Sequence, residues 1–204
     1  MPFGKNKDVL KNKKKIGLFF GSFNPVHSGH LILANYMAEF TDLDEVWFVV
    51  SPHNPLKEKT GLLPDIHRLA LVRLAVEGQS RLKVTDIEFK MPQPSYTIDT
   101  LTWLSDKYPQ HIFAMICGTD VFKHFHKWKN WQEILRYYSL YVYPRPGSSL
   151  GKYAGYPEIR LFDAPLLEIS ASFIRKGLRE RKNMAFWMPD KVYQYILEMH
   201  FYEK

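Results

Sequence analysis

Two histidines three residues apart, His27 and His30, follow a run of small and turn-forming residues, Gly21-Ser22-Phe23-Asn24-Pro25-Val26. An apolar run, Ile16 to Phe20, precedes that stretch, and an amphipathic one, Leu31 to Phe40, follows it. The order reads strand, tight loop, helix, with both imidazoles at the mouth of the helix. The first turn of a helix presents unpaired N–H groups and partial positive charge, which suits a phosphate. Rings at i and i+3 share one face of that turn and can reach a single anion. A lone His-x-x-His is more often a surface turn with two solvated rings. Gly21 and Ser22 directly after a strand tilt the reading toward phosphate chemistry.

A second run, Ile169-Ser170-Ala171-Ser172-Phe173-Ile174-Arg175, lies near the carboxyl end. Ser170 reads as an N-cap, with Arg175 about a turn and a half inside the helix. Hydroxyls, free N–H groups and a guanidinium together can clamp a polyphosphate. Alone this is an ordinary capped helix; beside the first motif it becomes a second jaw. Other chemistries find less support. The single cysteine, Cys117, ends an apolar run and reads as a core residue rather than a nucleophile, and it excludes an intramolecular disulfide. No grouping of His, Cys and carboxylates has zinc spacing, and His53, His67, His111, His124 and His126 are scattered.

These motifs need elements to position them. Strand-like runs are Ile16 to Phe20, Glu45 to Val50, Leu82 to Ile87, Ile112 to Cys117, Ser139 to Tyr143 and a short Arg160 to Phe162. Between them fall helical patterns: Gly29 to Phe40, a stretch with Ile66, Leu69, Ala70 and Leu74 on one face, and a helix through Leu101 and Leu104 capped by Thr97. Helices over Ser170 to Arg181 and Pro189 to Met199 close the chain. Repeated β-α units with short connections imply a Rossmann-like, doubly wound parallel sheet with helices on both faces and a small helical carboxyl-terminal part. Ligands of such sheets lie beyond the carboxyl ends of the strands, where strand order reverses. The histidine motif follows the first strand and is placed for that crevice.

With 204 residues the chain can build one substantial core. Its net charge of +7 raises two options, nucleic-acid binding or attraction of a small anion. Lys5, Lys7, Lys11, Lys13, Lys14 and Lys15 account for most of the excess, so the remainder is close to neutral and the nucleic-acid option weakens. Residues 1–14 read as a mobile basic arm, and residues 15–204 as a single domain. No apolar run has the length of a membrane span or follows the lysines as a signal peptide requires. A cytoplasmic protein is expected.

His27-Ser28-Gly29-His30, joined to Ile169-Ser170-x-Ser172-x-Ile174-Arg175, resembles the nucleotidyltransferase superfamily. More narrowly, the chain resembles the bacterial nicotinate-nucleotide adenylyltransferases. Ser95-Tyr96-Thr97-Ile98-Asp99-Thr100-Leu101, Gly118-Thr119-Asp120, Trp128 and Arg145-Pro146-Gly147 carry this narrower likeness, which runs from about Lys15 to Tyr195. It implies adenylyl transfer from ATP to nicotinate mononucleotide, with release of pyrophosphate. A phosphate dianion is already a competent nucleophile, so catalysis is expected to be positioning plus stabilisation of charge on the leaving group.

By the resemblance, His27, His30 and Arg175 are the catalytic contacts to the ATP phosphates. Gly21, Ser22 and Phe23 offer loop backbone to the nucleotide, Ser170 and Ser172 hold phosphate, and Gly118 and Asp120 lie near the ribose. Lys57 matches a phosphate-binding lysine, while Thr97 and Trp128 match the nicotinate pocket, with the indole stacked on the pyridine ring. Lys129 is expected to add long-range attraction for an acidic acceptor. Magnesium is expected to travel with ATP phosphates and water, without a dedicated protein cage. Neither nucleic acid nor membrane is an expected partner, and self-association is left open. Two departures stand out: Phe20-Gly21-Ser22-Phe23-Asn24 replaces the family's usual Gly-Gly-Thr-Phe-Asp, and Ala171 replaces a common serine. Nicotinamide mononucleotide or phosphopantetheine as the acceptor remains the nearest alternative; a basic nucleic-acid-binding protein is the alternative of another class.

Overall fold

A computed structural model describes residues 13–52, 61–165 and 167–203. Its six strands are β1 (Lys14–Gly21), β2 (Glu45–Val50), β3 (Leu82–Thr85), β4 (His111–Gly118), β5 (Ser139–Tyr143) and β6 (Ile159–Leu161). All pair in parallel, in the order β3-β2-β1-β4-β5-β6. The helices are α1 (Ser28–Phe40), α2 (Asp65–Ala75), α3 (Thr97–Lys107), α4 (Trp131–Tyr137), α5 (Ala171–Arg179) and α6 (Asp190–Glu198). Central strands are apolar on both faces because both faces are covered. Val46, Phe48 and Val50 of β2 pack with Leu33 and Met37 of α1, Val72 of α2, Ile174 of α5 and Val192 of α6. On the other face, Ile16 and Leu18 of β1 join Leu101 of α3 and Ile134 of α4. The chain runs outward from β1 to β3, then crosses back to β4. The order therefore reverses between β1 and β4, the crevice expected of such sheets.

Several boundaries shift from expectation. The third strand ends at Thr85, where the Thr85 hydroxyl accepts the Ile87 N–H at 3.3 Å and turns the chain into a 3-10 turn, Ile87–Lys90. Thr97 is the first helical residue of α3 rather than its cap. Tyr96 takes the cap position in extended conformation, without a side-chain cap bond. On α2 the buried face is Arg68, Leu69, Leu71 and Val72, whereas Ile66 is 69% exposed. Arg68 displaces the expected apolar face because it is fully paired inside. Lys14, placed in the arm by sequence, opens β1 and bonds Glu45 at 2.7 Å, while Lys15 bonds Asp42 at 2.6 Å. Cys117 is buried in the core as expected, and burial raises its thiol pKa, so it stays protonated. Among the described residues, no helix is long and apolar enough to cross a membrane.

Candidate active site

The loop after β1 delivers His27 to the cap position of α1 and His30 to its first turn. Their rings stack, with centroids 3.7 Å apart and planes 25° from parallel. The His27 backbone N–H donates to His30 Nδ1 at 3.3 Å. With Nδ1 accepting, a neutral His30 carries its proton on Nε2 and offers a donor to a ligand. Phe23 and Phe19 pack edge-on against the His30 ring, at 5.1 and 6.0 Å between centroids. Phe23 is thus a core side chain propping a histidine, at a backbone φ of 46°.

Both imidazoles are held neutral. Burial, and then the positive charge of Arg145, pulls His27 from 6.5 down to about 4. Burial, then His27, then Arg145 hold His30 well below the usual range. They act in the free protein as dipolar donors, and the arginines carry the charge. One consequence is measurable. His27 protonates near 6.5 when unfolded but only near 4 when folded, so the unfolded chain binds more protons between those values. Stability is therefore expected to fall as the pH drops through that window, by ~3 kcal/mol from His27 alone. Urea unfolding from pH 7 to 4 checks this: His27→Gln should show a shallower acid loss, and an unchanged slope would remove the assignment.

The two motifs meet directly. Arg175, on α5, donates from Nη1 to the Asn24 carbonyl at 2.7 Å and from Nη2 to Ser172 Oγ at 3.3 Å. Ser170 caps α5, accepting the Phe173 N–H at 3.2 Å. A Cβ at Gly29 would lie 3.1 Å from His27 Nδ1 and 3.4 Å from Ile169 Cβ, so glycine there lets the histidine loop close on the second motif. Gly118, at the end of β4, is bracketed by the Asp120 carboxylate and Arg145 in the same way. Arg145 follows β5, its N–H bonded to Thr119 Oγ1 at 2.8 Å and its guanidinium 5.3 Å from the Tyr143 ring. A cleft opens among Phe19, His27, His30, Tyr143, Arg145 and Ile169.

On the other face of the sheet, α3 begins at Thr97 with unpaired first-turn N–H groups. Trp128 is half-buried, its ring 5.4 Å from Phe125. Lys129 is held by Asp99 at 2.8 Å and lies 4.8 Å from the Tyr96 ring, so its charge is offset locally and it braces the Trp128 segment against α3. Lys57 lies outside the described residues. Among the described residues no group of three His, Cys, Asp or Glu side chains is placed to hold a metal ion.

Sequence reasoning gave Arg145 no role beyond its place in the family likeness, and missed Arg68 altogether. Arg145 was legible as a cation directly after a strand, at the sheet's carboxyl edge. Arg68 was not: it is fully buried, donating to the carbonyls of Ser22 at 2.6 Å, Ser51 at 2.7 Å, Pro52 at 2.7 Å and Leu63 at 3.0 Å, and to Asp65. It grips the histidine loop and the end of β2 together.

A family model described as cytidylyltransferase-like matches residues 18–177. A probable nicotinate-nucleotide adenylyltransferase of Flavobacterium johnsoniae is 51% identical over 192 residues, covering 93% of this chain and 100% of that protein. A probable nicotinate-nucleotide adenylyltransferase of Bacteroides fragilis is 47% identical, covering 91% of this chain and 92% of its own length. The Plasmodium falciparum nicotinic acid mononucleotide adenylyltransferase structure complexed with NaAD superposes with a TM-score of 0.77 at 19% identity, covering 93% of this chain and 98% of that one, a likeness of fold. With a family match over most of its length and close relatives along nearly all of it, the chain belongs to the cytidylyltransferase-like family and, within it, to the nicotinate-nucleotide adenylyltransferases.

Proposed function

We propose that this chain transfers the adenylyl group of ATP to nicotinate mononucleotide, through ATP phosphates held between the His27–His30 turn and the Ser170–Arg175 turn. The observation that carries this is the bond between Arg175 and the Asn24 carbonyl, which joins motifs 151 residues apart into one phosphate clamp. In the reaction an oxygen of the mononucleotide phosphate attacks the α-phosphorus. The bond from that phosphorus to the bridging oxygen breaks, and the electron pair leaves with pyrophosphate. No protein nucleophile is required. His27 and His30 supply neutral N–H donors where charge builds on the leaving group, and Arg175 and Arg145 supply fixed positive charge. Gly21, Ser22 and Phe23 contribute backbone, Ser170 and Ser172 hydroxyls, and Gly118 and Asp120 border the nucleoside. Magnesium would be held largely by the ATP phosphates and water. Thr97 and its neighbours receive the nicotinate carboxylate on α3 N–H groups, with Trp128 against the ring and Lys57 on the acceptor's phosphate. The reaction is placed in the cytoplasm.

Pyrophosphate release from ATP, measured with nicotinate mononucleotide, nicotinamide mononucleotide and phosphopantetheine in parallel, tests the reading. The expected result is a kcat/KM highest for the nicotinate form. In the same assay Trp128→Ala is expected to raise KM for the mononucleotide about tenfold, the worth of one stacked ring, with little change for ATP. Equal rates on both pyridine nucleotides would remove the acid preference, and an unchanged KM would return Trp128 to packing on Phe125.

A further inference from the structure

Three segments meet on the side chain and carbonyl of Asn24. Its Nδ2 donates to the Gly61 carbonyl at 2.8 Å, and its Oδ1 accepts the Leu63 N–H at 3.2 Å. The same Oδ1 accepts the Tyr202 hydroxyl at 2.7 Å, and the Asn24 carbonyl is the seat of Arg175 Nη1. The residue is 5% exposed, and the bonds it makes are partly buried. A carboxamide is needed, because one end must donate and the other accept. A carboxylate at position 24 would set an acceptor against the Gly61 carbonyl. Here the departure from the family's usual acid has a structural use.

Tyr202 reaches this junction from the segment after α6. Phe201 seats that segment on α2, its ring 4.8 Å from His67, and its N–H donates to the Ile196 carbonyl at 3.0 Å. The backbone at Tyr202 is then left-handed, with φ 67°. A non-glycine residue pays roughly 1 kcal/mol or more for that region and holds it only where the surroundings demand it. What the turn achieves is delivery of the phenol to Asn24. Burial raises the Tyr202 pKa, so the phenol stays protonated and can only donate this bond, Asn24 Oδ1 being also engaged by a backbone N–H.

We propose that Tyr202 is a positioning residue for ATP: its hydroxyl fixes the Asn24 carboxamide, which fixes the carbonyl on which the Arg175 guanidinium is aimed. The inference rests on Arg175 being a ligand of the ATP phosphates. It makes the carboxyl-terminal segment part of the nucleotide site without touching nucleotide.

The test uses the full chain, with Tyr202→Phe, Asn24→Ala, the double variant and Tyr195→Phe, assayed for KM and kcat toward ATP and the mononucleotide. Tyr195 is the control: its hydroxyl pairs with His67 Nδ1, at 3.2 Å, rather than with Asn24. Tyr202→Phe is expected to raise KM for ATP about fivefold, the loss of one buried hydrogen bond, with KM for the mononucleotide unchanged. Asn24→Ala should raise it further, and adding Tyr202→Phe to that variant should change nothing more. Tyr195→Phe should leave both constants unchanged. An unchanged ATP KM in Tyr202→Phe, equal rises for both substrates, or additivity with Asn24→Ala would overturn the proposal. Failure of the wild-type enzyme to release pyrophosphate from ATP would instead overturn the ATP-site reading, and this inference with it.

Discussion

Replacing His30 with alanine is expected to lower kcat by about 10²–10³-fold, the usual loss when one preorganised donor to developing charge is removed. KM for ATP should move far less, because a neutral imidazole gains most from the charge that appears only as the bridging oxygen leaves. The geometry favours this outcome. Nδ1 is occupied by the His27 N–H, the ring is wedged between Phe19 and Phe23, and burial keeps it uncharged. Little reorganisation is left to do when ATP arrives, so the Nε2 donor acts at full strength. The His27 ring, stacked at 3.7 Å, shares the task, so losses in a double variant should fall short of the product of the single ones. Far-UV circular dichroism and melting temperature must show the fold retained, since the cavity left by the ring also costs stability. A kcat within about threefold of wild type, where a positioned donor is worth far more, would end the catalytic assignment of His30.

What could be read in the chain beforehand was what is local. Apolar runs such as Glu45 to Val50 gave away strands covered on both faces, and small residues after a strand gave away the tight turn into α1. Ser170 as a cap was legible because capping needs only a hydroxyl and the next turn of helix. Thr97 was misplaced by a single position, the scale on which helix starts blur when an extended neighbour such as Tyr96 takes the cap without a side-chain bond. Bonds made across the fold were hidden. Arg175 to Asn24 spans 151 residues and Tyr202 to Asn24 spans 178, and no periodicity encodes such pairs. Lys129 reads in sequence as a free charge, yet Asp99 offsets it from 30 residues away. Arg68 was invisible for a further reason. On an amphipathic helix an arginine is assigned to solvent by default, and only the carbonyls converging on it from the β1–α1 and β2–α2 loops overrule that default.

Arg68→Met should therefore give the largest loss of stability on offer, on the order of 3–5 kcal/mol. The methionine fills much the same space, so the cost is not a cavity. It is the stranding of acceptors: the carbonyls of Ser22, Ser51, Pro52 and Leu63 all lose their donor, in a place where the arginine itself is fully buried. Melting temperature should drop by about 10 °C for a chain of this size. Activity should fall beyond what unfolding explains, since Ser22 belongs to the turn that presents His27 and His30. Arg68→Lys separates charge from geometry. A lysine keeps the positive charge beside Asp65 but has one compact donor group, where the planar guanidinium spreads five N–H donors in a fork. If charge were the main contribution, Arg68→Lys would be close to wild type. If the fork is what holds the loops, the lysine variant should lose most of what methionine loses, because one ammonium cannot reach carbonyls spread around the rim of the guanidinium. A melting temperature within about 2 °C of wild type for Arg68→Met, under 1 kcal/mol on this scale, would show that the loops hold their shape without the arginine. The histidine turn would then owe its form to Asn24 and the packing of Phe23 alone.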